Sequence, residues 1–295
     1  MRPAILFFLL ATLPLAGQDT IVPVYPGDIP CFTEGPLETR YDSAIGRVVT
    51  SVTRPELHYY APVPRTQEGK AVMIIPGGGY VIEAWDLEGT DIARYLAAQG
   101  IHAFVLSHRL PMRLEGECKS TAALSDAQQG MLRVKELADR YGFAPDQVGI
   151  MGFSAGGHLA GSASVHPREL DGLSSRPDYS ILVYPVLIMN ESRRGHRGSQ
   201  QNLLGDDPDA DRLAYFNLPE RVDSLTPPAL LIHASDDGAV APENSLRYYS
   251  ALVAHGVPAD LRVYATGGHG FGAARERGAP VSGWLEEVTA WIATQ

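Results

Sequence analysis

The chain has 295 residues, 45% of them hydrophobic and 20% charged, with a formal net charge of −10. That length and apolar share suit one large α/β domain with a full core and exclude a disordered chain. The negative charge argues against nucleic acid or an anionic membrane surface as a partner.

Residues 1–17 stand apart. Arg2 is a short basic start, Ala4 to Leu13 is apolar, and Leu15-Ala16-Gly17 offers small residues before Gln18. This pattern predicts a signal peptide cleaved near Gly17/Gln18, and so a secreted or periplasmic protein. The apolar run is too short to span a bilayer, so no stable membrane insertion is expected. Cys31 and Cys118 have neither CxxC nor Cys/His spacing, so no metal site is expected. After export they can form one disulfide or remain two thiols, and the sequence leaves both readings open.

Residues 18–45, with Pro23, Pro26, Pro30 and Pro36, predict an extended lead-in. Val48 to Pro62 holds β-rich pieces such as Leu57-His58-Tyr59-Tyr60, expected as first strands at a sheet edge. Ala71 to Ile75 is a buried strand that runs into Pro76-Gly77-Gly78-Gly79-Tyr80. A helix over Ala93 to Ala98 stops at Gly100, and Ile101 to Leu106 is the next strand. Thr121 to Tyr141 has Leu124, Met131, Val134 and Leu137 near helical spacing and closes at Gly142. Val148 to Met151 is a short apolar strand, and the small residues from Ala155 to Ala163 suit a tightly packed helix. Ser180 to Val186 is another strand.

Residues 189–226 break the rhythm. They are polar, with Arg193, Arg194, Arg197 and the run Gly205 to Asp209. They read as a cap-like insert over a site, or as a solvated excursion without a role. Ala229 to His233 is a strand, Glu243 to His255 a helix, Leu261 to Tyr264 the last strand. Val281 to Ile292 is a terminal helix with Trp284, Val288 and Trp291 on one face. Strands alternating with helices predict an α/β fold in one domain over 18–295, a mainly parallel sheet covered on both faces.

The chemistry centres on Gly152-Phe153-Ser154-Ala155-Gly156, a G-x-S-x-G pentapeptide between a strand and a helix. Small neighbours let a serine sit on a sharp turn that lifts its Oγ above the sheet and aims the Ala155 N–H at a reacting carbonyl oxygen. A serine needs a base to take its proton, and the base needs an orienting acid. His269, in Gly267-Gly268-His269-Gly270-Phe271, follows the last strand and is the candidate base. His158, on the serine's own helix, is expected to pack under the turn. The acid comes from Asp236 or Asp237. Neighbours on an extended segment point opposite ways, so only one of the two can reach His269. An oxyanion hole needs two fixed N–H donors. Ala155 supplies one, and the Gly78–Gly79 region after an earlier strand supplies the other. Tyr80 and Trp85 are expected to bind substrate, their bulk narrowing the acyl pocket; packing into the core is the alternative.

Taken together, Pro76 to Tyr80, Glu88-Gly89, Gly152 to His158, His233 to Ser245 and Gly267 to Phe271 resemble the α/β-hydrolase superfamily. More narrowly they are similar to secreted bacterial carbohydrate esterases related to acetyl xylan and feruloyl esterases. The matching pieces spread over residues 70–272. In such relatives the acid stands four residues after a strand-end His and three before a Val. Asp237 has both spacings, from His233 and to Val240, so the resemblance implies Asp237. Two departures are Ala241-Pro242, where many relatives have Pro first, and Pro76, where lipase-like members carry His. The resemblance implies a serine ester hydrolase removing a small acyl group, most simply O-acetyl, from an acylated carbohydrate, with no cofactor. A related-fold peptidase and a non-catalytic glycan-binding relative are the alternatives.

Overall fold

A computed structural model describes residues 20–63, 69–190, 195–274 and 280–295. The expected signal peptide, and Arg193 and Arg194 of the insert, lie outside the described residues.

In chain order the strands are β1 Thr20–Pro23, β2 Glu38–Asp42, β3 Gly46–Ser51, β4 Glu56–Tyr60, β5 Ala71–Ile75, β6 His102–Ser107, β7 Val148–Phe153, β8 Glu169–Leu170, β9 Leu173–Ser174, β10 Tyr179–Val183, β11 Ala229–Ala234 and β12 Ala259–Tyr264. The helices are α1 Asp91–Ala98, α2 Gly116–Glu136, α3 Ala138–Tyr141, α4 Ser154–Val165, α5 Arg197–Leu204, α6 Ala210–Phe216, α7 Glu243–Ala254 and α8 Trp284–Ala293. The main sheet runs β1-β4-β6-β5-β7-β10-β11-β12. From β6 to β12 every neighbouring pair is parallel; β1–β4 and β4–β6 are antiparallel.

The central strands are continuous apolar runs because both faces of the sheet are covered. Side chains alternate between two cores, as the period of a strand requires. Met73, Ile75, Phe104 and Ile150 face one core with Met131 of α2, Leu159 of α4 and Leu252 of α7. Val72, Ile74, Val105 and Met151 face the other with Ile92 and Leu96 of α1 and Trp284 and Val288 of α8.

Three local expectations are corrected. β3 pairs with β2 in a separate antiparallel hairpin rather than joining the main sheet. β4 is not at the edge: β1, inside the stretch read as a lead-in, pairs outside it. An edge strand tolerates Pro23, which has no N–H to donate, so the prolines hid a strand without preventing it. β10 stops at Val183, short of the expected Val186, because Tyr184 turns the chain at a φ of 37° and Pro185 follows.

Cys31 and Cys118 are joined in a disulfide with their Cα atoms 5.8 Å apart, tying the segment after β1 to the first turn of α2. The insert is neither bare loop nor free excursion. It carries α5, α6 and a 3-10 turn at Leu218–Glu220, and Leu203, Leu204, Phe216 and Leu218 are buried in the same core as α4. Among the described residues no helix is long and apolar enough to cross a membrane.

Candidate active site

Ser154 stands where buried β7 turns into α4, at a φ of 51°. A non-glycine residue there stores about 1–3 kcal/mol of strain, which the surrounding packing must hold in place. The turn is possible because a Cβ on Gly156 would run into the carbonyl oxygens of Ile75 and Pro76, and one on Gly152 into that of Gly156. Ala155 follows in the first turn of α4, where backbone N–H groups have no intrahelical acceptor.

His269 Nε2 lies 2.9 Å from Ser154 Oγ, and His269 Nδ1 lies 2.7 Å from Asp237 Oδ2. An ionised carboxylate can only accept, so Nδ1 carries the ring proton and the Nε2 lone pair faces the serine hydroxyl. Burial works against the charge on Asp237. The bonds it accepts from His233, His269 and the Val240 N–H, together with the charge of His269, outweigh that burial and hold its carboxyl well below the usual range. The Ala239 and Val240 amides reach its Oδ1 at 2.9 and 2.8 Å. Asp236 points elsewhere. Its Oδ1 accepts the Gly267 and Gly268 N–H groups at 2.8 and 2.7 Å and so shapes the loop that carries His269. Trp284 Nε1 holds the far end of that loop through Gly272 O at 3.0 Å.

The loop after β5 closes the other side. Gly78 and Gly79 have φ of 136° and 65°, a path that side chains rarely follow, and it turns the backbone beside the serine. Asn202 of α5 donates from Nδ2 to Gly79 O at 2.8 Å, so the insert is fastened to this loop.

Tyr80 and Trp85 do not line an open pocket, and the expectation for them is corrected. Tyr80 is 2% exposed and its hydroxyl meets His158 Nδ1 at 2.7 Å. His158 Nε2 meets Phe216 O at 2.9 Å, which makes Nε2 the donor and Nδ1 the acceptor of the tyrosine proton. Burial pushes the His158 pKa down to about 4, so the ring stays neutral as a pin between the loop after β5, α4 and the insert. Trp85 is also 2% exposed and packs into the α1/α8 core with His58 edge-on. Large aromatics just after a buried strand fill the core here because the turn folds back onto the sheet.

Three groups at the site were given no role by the sequence reading. Glu88, 4% exposed, accepts the Gly77 N–H at 2.7 Å and the Tyr184 hydroxyl at 2.9 Å. Tyr184 packs edge-on to His269 with ring centroids 4.9 Å apart. His196, before α5, accepts the Ser199 N–H at Nδ1, and burial, with His269 nearby, lowers its pKa. Glu88 had stood in the sequence only as part of the Glu88-Gly89 piece of the resemblance, with no role attached; Tyr184 and His196 carried no signal. Among the described residues no cluster of three or more His, Cys, Asp or Glu side chains is placed to hold a metal ion.

Residues 117–295 match the prolyl oligopeptidase family. The acetylxylan esterase of Xylanibacter ruminicola is 39% identical over 215 residues, 71% of this chain. The endo-1,4-beta-xylanase B of Butyrivibrio fibrisolvens is 33% identical over 221 residues, 72% of this chain. The chain spans 42% of the length of the first and 34% of the second. The acetyl ester-xyloside bifunctional hydrolase of Caldicellulosiruptor lactoaceticus has a similar solved structure, with a TM-score of 0.80 and 31% identity. That likeness covers 95% of this chain and 97% of the other.

Proposed function

Because the chain belongs to the prolyl oligopeptidase family of α/β-hydrolases, we propose that it is a secreted or periplasmic serine ester hydrolase acting on an acylated carbohydrate. The observation that carries this reading is the unbroken line from Asp237 through His269 to Ser154. Ser154 Oγ attacks the acyl carbon while His269 Nε2 takes its proton, and Asp237 stabilises the imidazolium that results. The Ala155 N–H and the amides at Gly78 and Gly79 hold the oxyanion. His269 then gives its proton to the leaving sugar oxygen, and water releases the acyl group from Ser154 by the same steps. Every proton has a protein partner, so the chemistry calls for no metal or organic cofactor.

The substrate class is supported by the relatives, which are named for acetylxylan, xylan and acetyl ester-xyloside substrates. The acyl group is proposed to be acetyl or of similar size. Export is supported by residues 1–17 and by the Cys31–Cys118 bond, since disulfides persist in oxidising compartments. The family match favours one competing reading, a peptidase. Incubation with acetylated xylo-oligosaccharides, followed by mass spectrometry, separates the two. Loss of acetyl groups is expected; intact oligosaccharides together with cleavage of a prolyl peptide would replace the esterase reading by the peptidase one.

A further inference from the structure

Glu88 is buried, lies in a π-helical turn over Trp85–Thr90, and has no part in the triad. Such turns are rare and are frequently found at functional sites. This one aims a carboxylate between two loops. Its Oε2 accepts the Gly77 N–H at 2.7 Å, at the root of the oxyanion loop. Gly77 is wedged there: a Cβ would meet Glu88 Oε2, Ser154 Cβ and Phe153 O together. Its Oε1 accepts the Tyr184 hydroxyl at 2.9 Å, and that hydroxyl accepts the Gly272 N–H at 3.3 Å, three residues past His269. Both carboxyl oxygens thus accept from donors, which favours the charged form against the burial that raises its pKa.

We propose that Glu88 is a positioning residue that sets the oxyanion loop and the His269 loop in one register and places a second negative charge beside the imidazolium. The proposal rests on the serine-esterase reading and deepens it. Three groups face Glu88 and His269. Tyr184 comes from the end of β10, Asp237 from the loop after β11, and His196 from the insert. Asp237 fixes the ring through Nδ1; Glu88 acts through Tyr184, whose ring packs against the imidazole, and through space. Removing a nearby anion makes the imidazolium harder to form, so the base works to lower pH but the transition state loses support.

The test is Glu88→Gln with kcat, KM and the pH profile of kcat/KM measured on p-nitrophenyl acetate. Glutamine keeps the size but turns an N–H group toward either the Gly77 amide or the Tyr184 hydroxyl. The expected loss in kcat is about 100-fold, the cost of disturbing one oxyanion donor, with KM changed by less than about threefold. The acid limb is expected to move to lower pH. Tyr184→Phe keeps the carboxylate and cuts only its link to the His269 loop. It should cost about 5–10-fold in kcat, in the range of one lost hydrogen bond, and leave the acid limb in place. A Glu88→Gln enzyme within about threefold of wild type in kcat, with an unmoved acid limb, overturns the proposal. If that variant fails to fold, an unchanged kcat in Tyr184→Phe overturns it. Either result leaves the serine mechanism standing, which falls only if Ser154→Ala stays active.

Discussion

The segments after β5 and β11 each hold a carboxylate against the proposed catalytic centre, and they shift its acidity in opposite directions. Burial raises the pKa of Glu88 and prevails over the bonds from the Gly77 N–H and the Tyr184 hydroxyl. Asp237 is also buried, yet bonds from His233, His269 and Val240, and the amide of Ala239, reverse the outcome. Two donors do not compensate for lost water, whereas four do. The loop after β11 is built to keep a charge permanently; the loop after β5 holds one at a cost.

Both carboxylates matter only if one nucleophile serves them. Ser154→Ala should therefore give the largest effect, a loss of about 10⁴–10⁶ in kcat, because a triad fails as a unit. Turnover of p-nitrophenyl acetate by the purified variant checks this, and near-wild-type rates would remove the premise of the comparison.

Next come the two neighbouring aspartates. Asp237→Asn should cost about 10⁴ in kcat, since an amide favours the wrong imidazole tautomer. Asp236→Asn should cost about tenfold or less, since Asp236 accepts only backbone N–H groups of the loop. Steady-state kinetics of both variants decide; the reverse ranking would make the loop's shape matter more than the imidazole's partner.

A smaller effect lies in stability against pH. Asp237 has a depressed pKa in the folded state, so its contribution is present above the unfolded value of about 4 and is lost as pH falls through the folded one. Glu88 has a raised pKa, so its contribution is complete below the unfolded value of about 4.3 and is lost as pH rises through the folded one. Relative to wild type, Asp237→Asn should lose more Tm at neutral pH than at pH 3, and Glu88→Gln should flatten the decline above pH 4. Thermal melts across that range check both; parallel curves would show that the two loops do not differ as described.

The least effect on chemistry is expected far from either carboxylate. Replacing Cys31 and Cys118 by Ser releases a loop with a sequence separation of 87 and should cost up to about 4.6 kcal/mol of stability in the chain-entropy account. The kcat at 25 °C should stay within about twofold, and denaturant melts beside kinetics check the separation of the two effects.

Residues whose chemistry is local were legible in the sequence. Ser154 and His269 are flanked by glycines that tight turns beside them require, and they follow strands in the order where such sites form. Asp237 was separable from Asp236 only by spacing to His233 and Val240, because adjacency fixes that one of them turns away without saying which. Tyr80 and Trp85 misled because bulk reads equally as pocket wall or as core, and only the path of the turn decides. Glu88 and Tyr184 were invisible as a pair, since their hydrogen bond joins residues 96 apart in sequence. β1 was hidden by its proline, and the insert by its polarity, although Leu203, Leu204 and Phe216 anchor it in the core.

The bond from Asn202 to Gly79 has a consequence for redesign. Under the esterase reading proposed above, α5, tied to the loop beside Ser154, is the part of the insert that a library would randomise to change sugar selectivity. The same helix supplies the amide that steadies the backbone opposite the serine, so selectivity and turnover share eight residues. Variants selected there for a new sugar would carry altered rates on every substrate unless Asn202 is kept, and a loop transplanted from a relative would bring its own oxyanion geometry with it.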